Sequence, residues 1–139
     1  MVELLEGLEV EVLDLGCTSL THLPDGLKVE DLFLGMCESL THLPDGLEVE
    51  QDLWLGGCML THLPDGLKVG EDLFLEGSES LTHLPDGLEV GRDLYLGDCT
   101  SLTHLDGLKV GGDIYLRGCT GLQHLKGKKI NGVKGKVIW

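Results

Sequence analysis

The stretch HLPDGLKVEDLFLGMCESLT, residues 22–41, recurs in near copies along most of this chain. Its opening histidine has an equivalent in each copy: His22, His42, His62, His83, His104 and His124. Successive histidines are separated by 20 or 21 residues. A fixed period of this length is typical of a solenoid, because so short a repeat cannot bury its apolar face alone and must stack on its neighbours. We therefore predict a solenoid.

Composition supports a β structure and excludes several partner classes. The 139 residues include 21 glycines and no alanine, which disfavours helices. A net charge of -14 argues against binding to nucleic acid or to an anionic membrane surface. No secretion signal opens the chain, and no apolar run approaches the roughly 18 residues of a membrane span. We expect a soluble protein whose partners include neither nucleic acid nor membrane.

The cysteines recur at one position of the repeat: Cys17, Cys37, Cys58, Cys99 and Cys119. Their number is odd and they form no CxxC pair, whereas a disulfide framework in a short secreted chain favours an even number. A reducing, cytoplasmic compartment is therefore predicted. Ser78 occupies the same position in one repeat, which indicates a small buried side chain and not a disulfide or metal ligand. We expect these thiols to be structural.

Paired apolar residues predict one short strand per repeat. The pairs are Leu13/Leu15, Leu32/Leu34, Leu53/Leu55, Leu73/Leu75, Leu94/Leu96 and Ile114/Leu116. Alternation along a strand turns both members of a pair inward, and stacked turns lie about 4.8 Å apart, as in a parallel sheet. The glycine of each PDG or LDG suits a bend with positive φ. About 20 residues per turn leave little room for an α-helix, so we expect extended or 3₁₀-like backbone on the outer side.

The repeat also resembles a known family. One unit reads V29-x-x-L32-x-L34-x-x-C37-x-x-L40-x-x-L43-P44, which is similar to the leucine-rich repeat, LxxLxLxx(N/C)xL, in its bacterial and plant-receptor forms. The resemblance implies a mainly β, leucine-rich-repeat-type solenoid of about six turns with a short parallel strand per turn. A more regular β-helix, with GLKV as a second strand in each turn, is an open alternative. Residues 1–139 are predicted to form a single solenoid, with repeats over 3–125 and a basic C-terminal cap over 126–139.

Two sets of residues share the outward face of the predicted strands. The aromatic stripe comprises Phe33, Trp54, Phe74, Tyr95 and Tyr115. The aspartate row comprises Asp31, Asp52, Asp72, Asp93 and Asp113, two residues earlier in each repeat. The family resemblance implies that this position faces a concave, ligand-binding surface. Either the rings stack and stabilise the sheet, or the ten residues bind a partner through a large apolar surface.

The histidine ladder admits three interpretations: a metal site, a pH-dependent element, or a turn residue that hydrogen-bonds locally. No cysteine or carboxylate is evidently placed to complete a tetrahedral site, so we predict no metal and no cofactor. Catalysis requires one unlike constellation of residues in a pocket. Because the turns are nearly identical, we predict no catalytic residues and no enzyme activity.

The two ends of the chain differ in charge. Residues 126–139 contain five of the ten Lys and Arg residues, whereas the first fourteen residues contain five acidic residues and no basic one. Three explanations stay open: head-to-tail association, lysines that discourage edge pairing, or a chain that is part of a longer array. The predicted function is a non-catalytic binding module for a protein or peptide with basic and apolar groups. The alternatives are a self-associating structural protein (a homodimer or a head-to-tail filament) and the recognition arm of a larger effector.

Overall fold

A computed structural model describes residues 9–16 and 18–139. The chain forms a parallel β-solenoid of about 6 turns with almost no helix, which confirms the predicted fold class. The strands are β1 (Glu9–Asp14), β2 (Lys28–Phe33), β3 (Glu48–Val49), β4 (Leu53–Trp54), β5 (Lys68–Val69), β6 (Leu73–Phe74), β7 (Glu89–Val90), β8 (Leu94–Tyr95), β9 (Lys109–Val110), β10 (Ile114–Tyr115) and β11 (Val137–Ile138). A 3₁₀-helix spans Thr120–Leu125. Within the described ranges, no helix is long and apolar enough to cross a membrane.

The strands form two parallel ladders that share β1 and β2. The first, which we call the aromatic ladder, runs in the order β1, β2, β4, β6, β8, β10, β11. The second, the valine ladder, continues from β2 through β3, β5, β7 and β9, with Val29, Val49 and Val69 in register. The valine ladder is built from the GLKV segments that the alternative interpretation named. Each turn from β3 to β10 therefore contributes two short strands, one more than the leucine-rich-repeat prediction assigned.

A single residue decides whether the two strands of a turn are continuous. Two residues separate Val29 from Leu32, and β2 runs unbroken through them; three residues separate Val49 from Leu53, and a bend divides β3 from β4. Later turns keep the longer corner and place a glycine in it. A Cβ on Gly91 would overlap the carbonyl oxygen of Gly70, so glycine permits this close approach of neighbouring turns.

The core is one continuous cluster of inward leucines, valines and cysteines. Leu32, Leu53 and Leu73 are completely buried, whereas the corresponding residues of the end turns, Leu13 and Val137, are only partly buried. Stacking on both sides is thus what buries a turn, as expected for a solenoid. The bend before each strand of the valine ladder contains the glycine predicted to have positive φ, for example Gly26 with φ of 75°.

Residues 126–139 continue the solenoid. Ile130 is buried, Val133 forms a parallel bridge with Val110, and β11 pairs with β10 in register. The predicted C-terminal cap is therefore a further partial turn that covers the core of the turn before it. Within the described residues, no strand pairs with the outer edge of β11.

Candidate binding surface

The aromatic stripe is a continuous stack of rings. Strand pairing places Phe33 beside Trp54, Trp54 beside Phe74 and, through the next two strands, Phe74 beside Tyr95 and Tyr95 beside Tyr115. The ring centroids of successive pairs lie 5.7, 3.6, 4.6 and 4.6 Å apart, and all four pairs are stacked. Stacked aromatic pairs contribute about 0.5–1.5 kcal/mol beyond their buried area. The rings therefore stack along the ladder, as the first of the two interpretations predicts.

Stacking leaves the edges of these rings open to solvent. Trp54 is 37% exposed, and the other four rings are partly buried. The ring faces contact the rings of neighbouring strands, and the ring edges form a strip along the outer surface. Stacking and binding are thus compatible roles for the same side chains, and whether the strip binds a partner stays a prediction.

The aspartate row has a structural role that the sequence did not reveal. The Oδ1 atom of Asp31 accepts a hydrogen bond from the backbone N–H of Asp52 at 3.0 Å, and the same contact repeats down the row. The later contacts measure 3.0 Å (Asp72 to Asp52), 2.9 Å (Asp93 to Asp72), 2.7 Å (Asp113 to Asp93) and 2.7 Å (Lys136 to Asp113). Each carboxylate therefore holds the start of the next strand, and one oxygen of each is already engaged.

One ring is tied to this row. The Tyr95 hydroxyl donates to Oδ2 of Asp93 at 3.4 Å. Burial, together with the neighbouring carboxylates of Asp93 and Asp72, raises the pKa of Tyr95 to about 12. The phenol consequently stays protonated near neutral pH and keeps its donor role.

The cysteines form a second hydrogen-bonded row, inside the core. The thiols of Cys37, Cys58, Cys99 and Cys119 each donate to a leucine carbonyl of the preceding turn, at 3.2, 2.9, 3.1 and 2.9 Å. Burial raises the pKa of Cys58 to about 11 and that of Cys99 to about 12. These four thiols are buried and unpaired by disulfides, as predicted, and Cys17 lies outside the described residues.

The six histidines are all exposed, and five of them directly follow a threonine. Five of the rings bond through Nδ1 to the hydroxyl of the preceding threonine, at 3.0–3.3 Å. Among the described residues, no group of three His, Cys, Asp or Glu side chains could hold a metal ion. The geometry fits a turn residue with a local hydrogen bond.

The valine ladder carries two rows of residues whose charge pattern was not predicted from the sequence. The first alternates in sign in strand register: Glu9, Lys28, Glu48, Lys68, Glu89 and Lys109. Ion pairs join Lys28 to Glu48 at 3.7 Å and Glu89 to both Lys68 and Lys109 at 3.8 and 3.7 Å. Alternation keeps like charges from lying directly opposite each other, which would destabilise the sheet.

The second row changes sign along the solenoid. It reads Glu11, Glu30, Glu50, Gly70, Gly91, Gly111 and Lys134. A depression of about 430 Å³ at its acidic end is lined by five glutamates and Lys28. A groove of about 750 Å³ at its basic end is lined by four lysines and one glutamate. Aligning the residue that follows each repeat valine would have found this row.

No protein-family model, curated protein or solved structure matches this chain. The resemblance to leucine-rich repeats therefore stays an expectation, and the surface is interpreted from its own geometry.

Proposed function

We propose that this protein is a non-catalytic binding module that presents the aromatic stripe and the aspartate row to a protein or peptide partner. The observation that supports this most directly is the strip of ring edges that includes Trp54, which is 37% exposed. Aromatic side chains are enriched where interfaces concentrate binding energy. The family resemblance implies the same face.

The dimensions of the stripe suit an extended peptide. Five rings on successive strands span about 19 Å, which equals about six residues of extended chain. Apolar side chains of the partner would contact the ring edges. Basic side chains would meet second carboxylate oxygens such as Oδ2 of Asp52 and Asp72, because Oδ1 of these residues is engaged by the backbone of the next turn. The partner is thus a peptide segment that mixes apolar and basic residues.

Two features support a role without catalysis. Successive turns present the same side chains, so among residues 9–16 and 18–139 no unlike set of acid, base and nucleophile converges in one pocket. The thiols of Cys58 and Cys99, which would be the strongest nucleophiles, are buried, and burial raises their pKa values to about 11 and about 12. A thiol acts as a nucleophile only when it is ionised.

The test is selection of a displayed random peptide library against the wild-type protein. We expect the recovered peptides to be rich in apolar and basic residues. Their affinity should fall about tenfold or more for the double variant Trp54→Ser, Phe74→Ser, which corresponds to the loss of about 1.4 kcal/mol or more at an anchor site. Circular dichroism checks that the variant is folded.

The matched control is Met36→Ser, Met59→Ser, which removes two exposed apolar side chains from the turns and leaves the stripe intact. This control should bind the selected peptides as the wild type does. Peptides that bind the stripe variant and the wild type equally well would contradict the proposal, as would a selection that enriches no peptide.

A further inference from the structure

The outer edges of β1 and β11 are complementary in hydrogen bonding. Along the aromatic ladder, backbone amides donate to the next turn: Leu96 to Tyr115 at 2.9 Å, then Leu116 to Ile138 at 2.7 Å. On β11, the amide of Trp139 occupies the equivalent donor position. On β1, the carbonyl of Asp14 occupies the equivalent acceptor position. Likewise, Ile114 donates to Lys136 at 2.9 Å, so the next donor is Val137 and the corresponding acceptor is Val12. The described residues provide neither donor with a strand partner.

Charge is complementary in the same register. The row that begins at Glu11 ends at Lys134, so stacking β1 of a second copy on β11 places these two exposed residues side by side. Basic residues dominate the surface around Lys134, and acidic residues dominate the surface around Glu11. Opposite potentials on two surfaces steer their association and fix its register.

Apolar surface is left at both edges. Val12 is 57% exposed and Ile138 is 37% exposed, and both lie on the outward face of the aromatic ladder. Leu13 and Val137 are only partly buried, whereas their counterparts in inner turns are fully buried. A second copy would cover these side chains as the neighbouring turn does elsewhere.

The corner lengths of the two edges are also compatible. The corner between Val133 and Val137 has three residues, and that between Val10 and Leu13 has two. The solenoid already joins a two-residue corner in β2 to a three-residue corner between β3 and β4 while both ladders keep their register.

We propose that this chain associates head to tail with second copies of itself, with β11 of one copy pairing in parallel with β1 of the next. The contact uses different surfaces on the two copies and does not by itself close, so it generates open chains of copies that share one continuous solenoid. This interface is separate from the aromatic stripe and does not depend on the proposed peptide binding.

Sedimentation velocity of the 139-residue chain over a concentration series tests this inference. At about 0.02 M salt, where charges act over tens of ångströms, we expect oligomers that grow with concentration; at about 0.5 M salt they should dissociate. Glu11→Lys and Lys134→Glu should each weaken association about tenfold or more, because each places like charges side by side across the contact. Both residues are exposed, so both variants should fold.

The decisive comparison is the double variant Glu11→Lys, Lys134→Glu. It restores an opposite-charge pair across the contact. It should therefore associate more strongly than either single variant, with an affinity close to that of the wild type. Glu50→Lys is the control, since it reverses the same exposed charge two turns away from the edge and should leave association unchanged. A folded wild type that stays monomeric at low salt would overturn the proposal, and so would single variants that associate normally or a double variant that is not rescued.

Discussion

Ser78 interrupts the row of thiols inside the core. Its hydroxyl is completely buried, and Oγ has no hydrogen-bond partner. The repeat places the carbonyl of Leu55 where the other turns offer an acceptor to a thiol at 2.9–3.2 Å. A C–O bond is shorter than a C–S bond, so the serine hydroxyl falls short of an acceptor that a cysteine reaches. Leaving a buried polar group unpaired costs about 1–3 kcal/mol.

The variant Ser78→Cys should therefore be more stable than the wild type. We expect the free energy of unfolding to rise by about 1–2 kcal/mol, because the thiol regains the bond and is itself more apolar. Urea unfolding under reducing conditions measures the change. Cys99→Ser is the matched opposite and should lower stability, since it creates a second unpaired hydroxyl. Equal stability of Ser78→Cys and the wild type would show that the row does not depend on the thiol.

The buried thiols also predict a loss of stability at alkaline pH. Burial raises the pKa of Cys58 to about 11 and that of Cys99 to about 12, while an unfolded thiol ionises near pH 8.5. The unfolded state therefore loses protons first. The contribution of the neutral thiols is complete below about pH 8.5 and is lost as the pH rises towards 11 and 12.

The free energy of unfolding, measured from pH 7 to about 10.5, should accordingly fall with pH in the wild type. The double variant Cys58→Ala, Cys99→Ala should be less stable at neutral pH, because it leaves cavities. Its stability should nevertheless fall less steeply between pH 8.5 and 10.5. Identical slopes for the two proteins would assign the alkaline transition to other groups.

At the scale of the strands, the aspartate row connects neighbouring turns through hydrogen bonds. Oδ1 of Asp72 accepts the amide of Asp93 at 2.9 Å, at the point where the chain enters β8. We expect Asp72→Ala to lower the free energy of unfolding by about 1–3 kcal/mol, since a hydrogen bond to a charged acceptor is lost. Asp72→Asn keeps a side-chain oxygen and should cost less.

Chemical denaturation of these two variants separates the structural role from a purely surface role. If the carboxylates were only a stripe of like charges on the surface, removing one from so acidic a chain would stabilise it or leave it unchanged. A stabilising effect of Asp72→Ala would therefore contradict the hydrogen-bonded row.

Several features of these strands were predictable because they depend only on period and alternation. The inward leucines such as Leu53 and Leu73, the stacked position of Trp54 and the positive φ of Gly26 all follow from reading one repeat. The hydrogen bond from Asp52 to Asp31 did not follow, because it depends on the distance between the backbones of neighbouring turns.

The number of strands per turn depended on a similarly small feature. One additional residue after Val49, compared with Val29, turns a continuous strand into two strands joined at a corner. Neither the hydrophobic pattern nor the overall period reports such a change. The sign change from Glu11 to Lys134 was likewise visible only after the strand register had aligned those positions.

At the scale of the whole molecule, the described strands pair only with strands of neighbouring turns, so rows of equivalent atoms hold the solenoid together. The charge along the solenoid is asymmetric, with acidic residues at the β1 edge and basic residues near the β11 edge. The end strands expose the same kinds of backbone donors and acceptors that pair neighbouring turns inside the solenoid. The proposed binding along the aromatic stripe and the proposed association at the edges use different surfaces and can be tested separately.

Backbone amide hydrogen exchange, resolved by residue, tests the ladder arrangement most directly. The parallel solenoid predicts protected amides that recur every 20 or 21 residues at the strand positions. The amides of Asp52, Asp72 and Asp93 donate to carboxylates, and those of Leu55 and Leu75 donate to backbone carbonyls. Protection that runs in long unbroken stretches without this recurrence would contradict the parallel solenoid. So would exchange at these amides as fast as in an unstructured peptide.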